Sequence, residues 1–82
     1  MADEVYEQIK AIIVEKLMVD PAKVTMEARF REDLKADSLD LVELVMGIEE
    51  AFGARISDED LRSITSVGAA VAYIEKRKQA GA

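Results

Sequence analysis

Apolar residues along this chain recur every three or four positions and nowhere alternate convincingly with period two. That spacing gives each segment one apolar stripe at helical pitch and argues against half-buried strands, so the chain is restricted to packed helices. Val5, Ile9, Ile12, Ile13 and Leu17 predict a first helix over about residues 3–18. Leu41, Leu44, Val45, Ile48 and Phe52 form the stripe of a second, from about Ser38 to Phe52. Asp37 is its expected N-cap, and Gly53 ends it in the left-handed position. "SDED", Ser57 to Asp60, reads as a capping box with Asp in place of Glu and opens a short third helix to about Ser63. Thr65 or Ser66 caps a fourth, whose last turn carries Lys76, Arg77 and Lys78 against the negative end of the helix dipole.

Residues 19–36 form a long connection between the first two helices. Asp20-Pro21 breaks the helical pattern and starts a turn or one short helical turn. Val24, Phe30 and Leu34 are expected to pin this loop to the core. The fold class is therefore all-α: a small four-helix bundle of three longer helices and one short one, with a long loop between the first and second. The 82 residues make one domain, with its core over about 3–78 and a fraying tail at 79–82.

Function is bounded first by what is missing. The chain has no His and no Cys. Disulfides and thiolate metal sites are excluded, and so is the imidazole that a serine nucleophile ordinarily needs. The acids form no EF-hand loop, so no dedicated metal site is expected, and looser divalent-ion binding by clustered carboxylates stays open. The start "MADEVYEQIK" is charged and lacks the apolar run of a signal peptide. No apolar run approaches a membrane span. These features suit a cytoplasmic monomer without stable membrane association. The net charge is −6, and residues 33–60 concentrate it, with nine acids against two bases. Such a segment repels nucleic acid and attracts basic protein surfaces, though it is also what a solvated face looks like.

The second helix has two faces that differ in kind. Opposite its core stripe lie Leu39, Glu43, Met46, Gly47 and Glu50, flanked by Asp40, Val42 and Glu49. An apolar strip of Leu39, Val42 and Met46 ringed by carboxylates fits a transient docking surface, where charge steers a basic partner and Met adapts to it. Gly47 costs about 1 kcal/mol in a helix interior. It is read either as lowering this face for a partner's backbone or as drift at a tolerant position. Ser38 opens the helix. A hydroxyl in the first turn lies at the positive end of the dipole, where an attached phosphate is stabilised. Capping alone also explains a serine there, and for an isolated serine at a helix start it is the commoner reason.

"DSLDLVELVMGIEEAF", Asp37 to Phe52, resembles the signature of the acyl carrier proteins, in particular the free-standing bacterial kind used in fatty acid synthesis. The resemblance extends from "VYEQIKAIIVEKL" to "ITSVGAAVAYIE". It implies that Ser38 carries a 4′-phosphopantetheine arm, attached from coenzyme A by a separate phosphopantetheinyl transferase that uses magnesium. The arm brings its own thiol, acyl groups ride on it as thioesters, and the protein is a carrier with no catalytic residue. Partners are then the transferase and fatty acid synthesis enzymes with basic docking patches. The implied contacts are Leu39, Asp40, Glu43, Met46, Glu49 and Glu50, with Asp37 nearest the transferase's metal and Asp58 extending the acidic surface.

The resemblance also implies an acyl chain sheltered inside the bundle. The loop and second helix supply Phe30, Leu34, Val45, Ile48 and Phe52 as candidate lining. Ile56, Leu61, Ile64, Ala70, Tyr73 and Ile74 complete it. Small residues on the fourth helix, Gly68, Ala69, Ala70 and Ala72, are expected to leave the space. Two positions depart from the pattern: Lys35 stands where many relatives have glycine, and Arg62 where they often carry an acid. Carriers for polyketide, aminoacyl or specialised lipid pathways share the same arm, and an unmodified acidic adaptor is the alternative of a different class.

Overall fold

The computed structural model describes residues 2–81, with side chains described for residues 4–77. Four helices follow in order: α1 Ala2–Leu17, α2 Ser38–Phe52, α3 Asp58–Ser63 and α4 Val67–Gly81. A single 3₁₀ turn, Pro21–Lys23, sits in the long loop, its start capped by the Asp20 carboxylate accepting from the Ala22 N–H at 2.9 Å. The all-α bundle with one short helix and a long α1–α2 loop is thus the architecture observed. Among the described residues no helix is long and apolar enough to cross a membrane.

Helix α1 packs against both α2 and α4. Its Val5, Ile9 and Ile13 are essentially inaccessible and join Leu44 and Ile48 of α2 and Val67, Ala70, Val71 and Ile74 of α4 in one aliphatic core. The loop contributes Val24, Ala28, Phe30, Leu34 and Ala36 to the same core, which explains why so long a connection stays ordered.

The loop also caps a helix. The first N–H groups of α4 have no partner within their own helix. Val67 N–H donates to Ala28 O at 2.9 Å, Gly68 N–H to Met26 O at 2.8 Å, and Ala69 N–H to Ser66 Oγ at 3.2 Å. Ser66 is therefore the side-chain cap. Thr65 instead accepts the Phe30 N–H on its carbonyl, and a lone antiparallel bridge joins Arg29 to Ser66.

Several expectations are corrected in detail. Gly47 is half-buried with its Cα turned toward α1: a Cβ there would lie 3.1 Å from both Ile12 Cγ2 and Lys16 Cε. Its small size belongs to the α1–α2 contact. The small residues of α4 do not open one space either. A Cβ on Gly68 would meet the Met26 carbonyl oxygen at 2.8 Å, and Ala72 is exposed. The capping box of α3 is half formed: Ser57 Oγ accepts from the Asp60 N–H at 3.1 Å, while the Asp60 carboxylate accepts from the Tyr73 hydroxyl at 2.7 Å. Helix α4 continues to Gly81, so Lys76 and Arg77 precede its last turn and the tail expected at 79–82 begins in helical backbone. The Lys78 side chain and Ala82 lie outside the described residues.

Candidate functional site at the start of helix α2

The approach to α2 is built by a tight turn. Ala36 N–H donates to Phe30 O at 2.8 Å, and Lys35 takes φ of 59°, the left-handed conformation that glycine adopts without strain. The turn thus keeps a glycine-like shape with a lysine in it. Asp33 accepts the Arg29 backbone N–H at 2.8 Å, and that bond holds its carboxyl below the ordinary value.

The cap itself is reciprocal. Asp37 Oδ1 accepts from the Asp40 N–H at 2.9 Å, and Asp40 Oδ2 accepts from the Asp37 N–H at 3.3 Å. Both carboxylates are used by the helix terminus. Ser38 lies between them, exposed, at the first helical position, and takes no part in capping. Its Oγ accepts a hydrogen bond from Arg31 Nη2 at 3.0 Å. A guanidinium has no acceptor and is protonated at every accessible pH. It cannot take the serine proton, and the flanking Asp37 and Asp40 carboxylates are turned to the helix cap.

Past Ser38 the outer face of α2 exposes Leu39 at 69%, Met46 at 55% and Val42 at 49%. Glu43 and Glu50 stand exposed among them. The other expected contacts are engaged. Asp40 is half-buried in the cap, and Glu49 is half-buried, accepting the Ile56 N–H at 2.8 Å and so tying the α2–α3 loop to α2. Asp58 lies in the first turn of α3, exposed.

Beside Ser38 a groove of about 440 Å³ opens between α2 and α3. Its walls are Phe30, Leu41, Val42, Leu61 and Ile64, and its rim carries Arg31, Glu32, Ser38, Arg62 and Thr65. Phe30, Leu41, Leu61 and Ile64 also border a deeper cleft completed by Leu44, Val45, Ile48, Ile56, Ala70 and Ile74. This cleft is closed: it offers about 10 Å³, room for one water at most. Eight of the eleven expected lining residues meet in it. Leu34 is buried on the loop side, Phe52 packs half-buried against the core, and Tyr73 lines a separate polar hollow with Asp60, Glu49 and Arg77. Leu41 and Leu44 were read only as core stripe, and nothing in their helical spacing distinguishes a cleft wall from solid packing. Arg31 was missed altogether. Among the described residues no group of three or more Asp or Glu side chains is placed to hold a metal ion.

Ser38 is thus an exposed hydroxyl that the helix cap does not use. A family model described as the phosphopantetheine attachment site matches residues 7–74. The chain belongs to this family of carrier domains. It bears a covalent 4′-phosphopantetheine arm, is a substrate of phosphopantetheinyl transferase and of partner enzymes, and is not itself an enzyme.

Proposed function

We propose that Ser38 is the attachment residue and that the chain carries acyl thioesters between enzymes of fatty acid synthesis. The observation that carries this reading is the division of labour at the start of α2: Asp37 and Asp40 complete the cap, and the serine hydroxyl between them is exposed. In the transfer, Ser38 Oγ bonds to the phosphorus of the pantetheine phosphate, the pyrophosphate bond of coenzyme A breaks, and adenosine 3′,5′-bisphosphate leaves. The hydroxyl proton passes to a base supplied by the transferase, since among the described residues Ser38 Oγ donates to no acceptor and the neighbouring Asp37 and Asp40 carboxylates are engaged in the cap. When bound, the arm supplies the thiol on which acyl groups form thioesters.

The outer face of α2 serves as the docking surface. Leu39, Val42 and Met46 provide apolar contact, and Glu43 and Glu50 provide free carboxylates for basic partners. Asp40 and Glu49 support that face by fixing the helix start and the α2–α3 loop. Asp37 remains the carboxylate closest in sequence to the transferred phosphate and is assigned to the transferase's metal.

The closed cleft is the proposed shelter for the acyl chain, reached through the groove beside Ser38. An acyl chain enters it only if α2 and α3 separate. Helix α3 is suited to move, because it has no buried residue and is held by the Tyr73–Asp60 hydrogen bond.

Loading tests the pathway. The form carrying the arm is offered malonyl groups by a malonyl transferase of fatty acid synthesis, and, in parallel, aminoacyl and polyketide loading enzymes with their substrates. Preferential malonyl loading followed by chain elongation is expected. Loading only by an aminoacyl or polyketide enzyme assigns the chain to that pathway instead.

A further inference from the structure

The loop before α2 carries two arginines that are engaged differently. Arg29 is held by Glu32 at 3.0 Å and by Asp33 at 3.5 Å. Arg31, two residues on, has no carboxylate within ion-pair distance among the described residues. Its guanidinium instead points at Ser38 Oγ, 3.0 Å away, across seven positions of chain. Arg62 reaches the rim of the same groove from α3.

The carboxylates around that oxygen work against the favourable end of the α2 dipole and disfavour a new negative charge. Asp37 and Asp40 flank Ser38 in sequence, and Glu32 shares the groove rim. Backbone N–H groups engage the two aspartates, but no cation among the described residues pairs with either. A phosphodiester formed on Ser38 Oγ places its two free oxygens two bonds beyond an atom that Arg31 already contacts. A guanidinium offers five donors in a planar fork suited to phosphate, and one is spent on Ser38.

We infer that Arg31 is the positioning residue for the phosphate of the arm: it binds the free phosphodiester oxygens and holds the arm's first atoms at the mouth of the α2–α3 groove, with Arg62 as the second cation across it. This inference rests on Ser38 being the attachment residue. It gives this chain an internal counter-ion at the modification site, inside a face that is otherwise acidic.

The test compares wild type, Arg31→Gln and Arg31→Lys, each before and after treatment with coenzyme A, magnesium and a broad-specificity transferase. Intact mass and fragment mapping first establish whether Ser38 has gained the arm. The readouts are the phosphorus-31 resonance of the modified protein and the difference in Tm between modified and unmodified forms. The wild-type difference is expected to exceed that of Arg31→Gln by about 3 °C at low salt, with Arg31→Lys between them. The excess shrinks as salt is raised, and the phosphorus resonance moves in Arg31→Gln. If Ser38 is mapped as modified in all three and both readouts coincide, Arg31 does not bind the phosphate and the inference is overturned, while the attachment reading stands. If the wild type gains no mass at Ser38, the attachment reading itself fails and takes this inference with it.

Discussion

Asp37 and Asp40 cap each other: each carboxylate accepts the other residue's backbone N–H, at 2.9 and 3.3 Å. The helix that presents Ser38 therefore starts without help from Ser38. Asp37→Ala is expected to cost about 1 kcal/mol of stability through loss of the cap. Ser38→Ala is expected to cost less than about 0.5 kcal/mol, as an exposed position outside the cap. Urea unfolding of the unmodified proteins measures both. Equal losses would mean that the serine hydroxyl is structural.

Lys35 holds a left-handed backbone with φ of 59°, a conformation that costs a residue with a side chain roughly 1–2 kcal/mol. Lys35→Gly removes this strain but adds freedom to the unfolded chain. A net gain of up to about 1 kcal/mol is expected, read as a higher urea midpoint. Lys35→Ala, which keeps a Cβ, gains nothing. A destabilised Lys35→Gly would show that the lysine side chain earns its place by a contact that outweighs the strain.

Gly68 lies under the Met26 carbonyl, with room for no more than a hydrogen on its Cα. Gly68→Ala pushes a methyl into backbone, and the loop must shift away from the start of α4. A loss of about 1–3 kcal/mol is expected, although alanine is the better helix former. Hydrogen exchange identifies the mechanism, because Val67 and Gly68 donate to the loop and are expected to lose protection in the variant.

Tyr73 donates to the Asp60 carboxylate at 2.7 Å, and that bond, with burial, raises its pKa above the ordinary 10.0. A raised folded-state pKa means that the folded form holds the proton more tightly than the unfolded form. The associated stability is fully present below about pH 10 and is lost as pH rises through the folded-state value. Tyr73→Phe is expected to flatten the decline in stability above pH 10 relative to wild type. Identical alkaline profiles would remove the Tyr73–Asp60 bond as the latch on α3.

An acyl chain that enters the cleft buries methylenes, with an upper guide of about 0.8 kcal/mol each. Opening the closed space offsets part of this. A progressive rise in Tm from the unacylated form to longer acyl forms is expected. A flat series would place the acyl chain in solvent.

The bounds of α2 were legible because both ends carry residues with one dominant local role: an aspartate that caps and a glycine, Gly53, with φ of 61°. Val24, Phe30 and Leu34 were legible as loop anchors because large apolar residues in a polar connection have few other uses. The acidic, apolar-centred face of α2 followed from helical period alone. What the period could not resolve was which neighbour each flank meets. Gly47 lies between the core and the outer face, and only the placement of α1 shows that it faces Ile12 and Lys16. Glu49 looked free, but the return of the chain at Ile56 engages it. Arg31 and Ser38 are brought together by an irregular turn containing a left-handed lysine, a geometry that no periodic pattern encodes.

The most direct test of the account is fragment mass spectrometry of the protein after exposure to coenzyme A, magnesium and a broad-specificity transferase. The account expects a single added phosphopantetheine, located on Ser38 and absent from Ser38→Ala. A wild-type chain that stays unmodified, or a Ser38→Ala chain that still gains the mass, would contradict it.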